Sequence, residues 1–163
     1  MKSSMTSALR LMIVSLAMAS PAFSQSGQTF YVKAKMSPDN EVPAIAGLSA
    51  TGSARACVTV NRDAGGTITS GVVTFEVAYQ FSGAITLTGF HIHSGAVDAN
   101  GPMVISSGLS STPDSDGAGS VSFTTPTLTT AAELAALTGL VTMPHLYCIN
   151  LHTTVNPGGA IRG

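Results

Sequence analysis

The sequence predicts an all-β protein, an antiparallel Greek-key sandwich or barrel, with one short helix near the C-terminal third. Three observations carry that expectation. Gly, Ser, Thr, Ala and Val dominate and only 9% of residues are charged, a balance that suits strands and turns better than a helical bundle. Short alternating apolar-polar segments follow one another, separated by Gly, Asn, Asp and Pro turn signals. Helical signals occur in a single stretch of residues 25–163, whereas a parallel sheet would need several crossover helices.

Each element follows in order. TFYVKAKM (29–36) alternates as a first strand, and SPDNEVPAIAG (37–47) is a proline-bearing loop. SATGSARACVTVNR (49–62) reads as a long strand, with Ala56, Val58 and Val60 on one face, closed by the turn DAGG. TITSGVVTFEVAYQ (67–80) comes next, with Val73, Phe75 and Val77 inward and Gly71 expected to mark a bulge. AITLTGFHIHSG (84–95) is a strand, AVDANG a loop, PMVISSGL (102–109) a short strand, TPDSDGAG a polar loop and GSVSFTT (119–125) a further strand. TTAAELAALTGL (129–140) is the helix, with Thr130 and Glu133 spaced as a capping box and Gly139 at its end. HLYCINLHTT (145–154) is the last long strand, and NPGGAIRG closes the chain as a turn and a strand remnant.

Ahead of this domain lies a leader. Lys2 and Arg10 make a positive start, LMIVSLAMA (11–19) is an apolar run too short to span a bilayer, and Ala22 and Ser24 suit a signal peptidase. Residues 1–24 are therefore expected to be a signal peptide and residues 25–163 a single periplasmic or secreted domain. Without Lys2 and Arg10, five basic side chains face eight acidic ones. With no basic run, nucleic acid is excluded as the expected partner, and no second apolar run reaches membrane length. The partner expected is an extracytoplasmic protein or glycan.

Cys57 and Cys148 are the two cysteines. Alternation turns both away from the core, Cys57 beside Thr59 and Asn61, Cys148 beside Asn150 and His152. Like faces on neighbouring strands can pair, so an oxidising compartment predicts a Cys57–Cys148 disulfide, with free thiols or metal ligation as the alternatives.

The chemistry concentrates in GFHIHSG. Phe90 and Ile92 form the apolar face of the strand, so His91 and His93 share the outer one. Ile149 and Leu151 likewise turn His152 outward on the last strand. If those strands are neighbours, three imidazoles make a copper or zinc site, each nitrogen about 2 Å from the ion; His145 is a candidate fourth ligand. The competing reading has His91 and His93 ordering the SGAVDANG turn through backbone hydrogen bonds. Convergence discriminates, because ligand nitrogens within about 4.5 Å of one another suit a shared ion. Residues 25–163 contain no GxSxG elbow, nucleotide loop or paired carboxylates, so no catalytic residue is assigned.

NEVP, GFHIHSG followed by NGP, the AAELAAL helix, YCINLHT and NPGGAIRG together resemble the CHRD domain, named from chordin, from about Phe30 to Gly163. The resemblance implies an extracytoplasmic all-β module whose motif residues here are Glu41, Pro43, His91, His93, His152 and Arg162. Two positions depart from the family pattern: Ala160 stands where an acidic residue is usual, and the chain given ends at Gly163 where the family's strand continues. GFHIH also looks like the copper-ligand segment of copper/zinc superoxide dismutases. Three functions follow as expectations: a non-catalytic binding module with a surface histidine metal site, a structural or adhesive module without metal, and a metal-dependent redox enzyme resembling a dismutase.

Overall fold

A computed structural model describes residues 25–163; the expected signal peptide lies outside them. The strands are β1 (Gln25–Met36), β2 (Ala50–Arg62), β3 (Ile68–Phe81), β4 (Ile85–Ser94), β5 (Met103–Ser106), β6 (Thr112–Asp114), β7 (Ala118–Thr124), β8 (Tyr147–Thr153) and β9 (Ile161–Arg162), with helix α1 (Ala131–Thr142) between β7 and β8. They form two antiparallel sheets, β1-β2-β3-β7 and β5-β4-β8-β9, with β6 pairing the start of β4. The fold is thus a sandwich, not a closed barrel, and non-consecutive neighbours (β3 with β7, β4 with β8) give it crossed connections.

Alternation places the inward residues as the sequence predicts. Val58, Val60, Val73, Phe75, Val77, Phe90, Ile92, Ile149 and Leu151 are buried in one core. Phe75 of the first sheet meets Phe90 of the second edge-on, with ring centroids 5.4 Å apart, a geometry worth about 1 kcal/mol beyond the buried area. Leu137 of α1 is fully buried and packs over the first sheet at Gly71, where a Cβ would come within 2.8 Å of its Cδ1. The Thr130–Glu133 capping box forms, giving the first turn of the helix its two reciprocal hydrogen bonds.

Several expectations are corrected. The register shift between β2 and β3 falls at Asn61/Arg62, while Gly71 pairs regularly with Val60; this glycine is small to admit Leu137. Gly139 does not end the helix, which runs to Thr142, because a close approach to the Tyr147 ring fixes this position as glycine within a continuing turn. Part of the TPDSDGAG loop is strand β6.

The Cys57–Cys148 disulfide does not form, and both cysteines are free. Cys57 sits on β2 between the inward residues Ala56 and Val58, so it faces out from the first sheet, whereas β8 carries Cys148 on the second. Parity gave both an outward side correctly, but on sheets facing opposite ways. Among the described residues no helix is long and apolar enough to cross a membrane.

Candidate metal centre

Strands β4 and β8 are neighbours, and their pairing sets His91 opposite Asn150, His93 opposite Cys148 and Gly89 opposite His152. The three outward histidines therefore meet on one face. Ring centroids are 4.8 Å apart for His91 and His152, and 5.9 Å for both His91–His93 and His93–His152. One ligand nitrogen from each lies within 4.8 Å of the others, slightly beyond the distance of about 4.5 Å expected of nitrogens ready to share an ion. An ion held tetrahedrally at about 2 Å draws its nitrogens to roughly 3.4 Å, so closure requires ring movements on the order of 1 Å.

Two of the rings are held in a defined tautomer. His93 Nδ1 lies 3.1 Å from the carbonyl of Gly101, and His152 Nδ1 lies 3.0 Å from that of Pro157. A carbonyl only accepts, so each Nδ1 carries the proton and each Nε2 keeps its lone pair. Both Nε2 atoms are buried and have no hydrogen-bond partner. Leaving such a group unsatisfied costs about 1–3 kcal/mol, and orienting a ligand histidine through its other nitrogen is the usual device of metal sites. His93 thus realises its half of the turn-ordering reading through Gly101, whereas the second bond joins His152, not His91, to the later Pro157 turn.

His91 is held by shape. Its ring lies against Gly89, where a Cβ would stand 2.6 Å from Cε1. Burial, and then the charges His152 and His93 would carry, lower its pKa to about 4. The His152 pKa is lowered too, chiefly by burial. Near neutral pH both present lone pairs. Gly89→Ala is expected to displace the His91 ring and weaken metal binding at least tenfold, with little change in fold, as calorimetric titration beside far-UV circular dichroism would show.

Behind the histidines lies a buried polar knot. Arg162 is 3% exposed; its Nη1 donates to Asn100 Oδ1 at 3.1 Å, and its Nη2 to the carbonyls of Ala96 (3.1 Å) and Ala99 (2.6 Å). Asn100 Nδ2 donates to the Val42 carbonyl, and Asn150 Nδ2 to Glu41 Oε2 at 3.2 Å. Burial pushes the Glu41 carboxyl up, against the opposing pull of Asn150 and Arg162. The guanidinium thereby fixes the 95–101 loop whose last carbonyl orients His93. Gly101 must be glycine, since a Cβ there would overlap the Ser94 carbonyl.

The other expected residues fall outside the triangle. His145 is exposed in a 3-10 turn, Pro144–Leu146, and lines an apolar cleft of about 350 Å³ with Val97, Leu140 and Pro144; it does not join the cluster of His91, His93 and His152. Pro43 is exposed beside the buried Glu41. Burial raises the Cys148 thiol pKa, which disfavours a thiolate ligand. Asn100, Asn150, Gly89 and the carbonyls of Gly101 and Pro157 were not singled out from the sequence, although NGP and NPGG, the turns that supply the carbonyls, are visible there.

No curated protein and no solved structure matches the chain. The family model of the CHRD domain matches residues 32–163, a span that includes the three histidines, both orienting turns and the arginine knot. The segments NEVP, HIHSG, NGP, INLHT and NPGGAIRG thus meet around one site, and the chain belongs to the CHRD domain family.

Proposed function

We propose that this chain is an exported CHRD module whose outer sheet face binds one copper or zinc ion through His91, His93 and His152. The family's occurrence in secreted and periplasmic proteins supports export. The observation that carries the metal reading is the pair of buried, unpartnered Nε2 atoms of His93 and His152, each fixed as an acceptor by a carbonyl on its own Nδ1. Neutral imidazoles suit both ions.

The test is elemental analysis of the protein purified after copper or zinc loading, beside a His91→Ala/His93→Ala variant. About one equivalent is expected in the parent, with at least a hundredfold weaker binding in the variant once two of three ligands are gone. Equal metal content in the two proteins would overturn the site.

A further inference from the structure

The edge strand β5 brings a residue to this face that the histidine triangle does not include. In the β4–β5 ladder His91 pairs with Ser106, Ile92 with Ile105 and, after a bulge, His93 with Met103. Ile92 and Ile105 are 2% and 3% exposed, so that pair points into the core. His91 and His93 belong to the outer face, and Ser106 and Met103 are their partners in the ladder, Met103 across the bulge; directly opposed side chains in a regular ladder have Cβ atoms about 5 Å apart. Met103 is 52% exposed, while Val104 packs against the core and Ile105 lies within it. It follows directly on the turn that grips His93, where Gly101 accepts from the ring and Pro102 accepts from Ser94 N at 3.0 Å.

We infer that Met103 supplies a fourth, thioether ligand and that the site is built for copper(I). This rests on the histidine reading above and sharpens it. A thioether is soft, uncharged and needs no deprotonation, and it favours copper(I) over zinc. Three neutral imidazoles and one thioether bring no negative charge, which suits a monovalent ion better than a divalent one. Methionine has three rotatable side-chain bonds, so the sulfur can swing onto an ion held at the rim without backbone movement. An exposed apolar side chain opposite His93 in the ladder thereby acquires a role.

The experiment compares the parent with Met103→Leu, Cys148→Ser and His91→Ala/His93→Ala variants, each titrated with copper(I) against a chromophoric copper(I) chelator and with zinc(II) by calorimetry. Met103→Leu keeps the size and apolar character of an exposed edge residue, so its folding is expected to be unchanged. It should weaken copper(I) binding about tenfold or more, leave zinc binding within about twofold, and remove sulfur scattering from the copper X-ray absorption spectrum. Cys148→Ser should retain that scattering. Unchanged copper(I) affinity and sulfur scattering in Met103→Leu would overturn the thioether ligand while leaving the histidine site intact. Parent-like binding of both metals by the double-histidine variant would overturn the histidine site itself.

Discussion

Arg162→Met is expected to lower the unfolding free energy by about 3–4 kcal/mol. The guanidinium is 3% exposed and donates to Asn100 and to the carbonyls of Ala96 and Ala99. Methionine fills the volume without supplying a donor, and leaves those acceptors to be satisfied by water or not at all. Hydrogen bonds from a charged donor are worth about 1.5–3 kcal/mol each, and partial hydration of the freed carbonyls offsets some of the sum. Arg162→Lys is expected to rescue little, since one ammonium cannot reproduce the planar fork that reaches three acceptors. The loop released is the one that orients His93, so metal affinity should fall together with stability, by about ten- to a hundredfold. Urea unfolding of metal-free protein, followed by metal titration at a temperature where the variant is folded, checks both halves. An Arg162→Met midpoint equivalent to within 1 kcal/mol of the parent would show that the knot does not hold the loop.

That arginine shows where the sequence stops being legible. The resemblance singled out Arg162 as a motif residue but not its partners, which are backbone carbonyls of Ala96 and Ala99 more than sixty positions away. Side-chain parity, by contrast, is a local property of each strand. It put His91, His93 and His152 outward and Phe90, Ile92, Ile149 and Leu151 inward, all as observed. Parity does not say which sheet a strand joins. That is why Cys57 and Cys148 looked able to pair and yet face away from each other across the sandwich. Nor does it survive a bulge: Gly89 comes opposite His152 only after a register shift in the β4–β8 ladder, and Met103 comes opposite His93 only after another in β4–β5. The helix cap was legible because Thr130 and Glu133 lie three residues apart on one turn. Gly71 and Gly139 were misread because their reasons, Leu137 and Tyr147, are tertiary neighbours.

The metal-free protein should lose stability as the pH falls below about 6.5, and the histidine triangle sets the sign. In the unfolded chain each imidazole titrates near 6.5. In the folded protein the His91 pKa is held down to about 4, first by burial and then by His152 and His93, and burial lowers His152 as well. Between those values the unfolded chain takes up protons that the folded protein refuses. Stability is therefore fully present above about 6.5, declines through the window, and levels off once the pH is below the folded value. His91 is partly exposed, so water relieves part of the penalty and its share is about 1–2 kcal/mol. Glu41 acts in the opposite sense, since its raised carboxyl pKa favours the folded state as the pH drops through the carboxylate range. The histidine slope is consequently best read between pH 6.5 and 5. Urea midpoints of chelator-treated protein should fall across that interval, and His91→Phe, which keeps a ring but cannot titrate, should flatten the fall. A level profile in the parent, or an equal slope in His91→Phe, would assign the acid sensitivity elsewhere. Because an ion takes the neutral imidazole, the lowered pKa values of His91 and His152 also lessen proton competition at those two ligands as the pH falls.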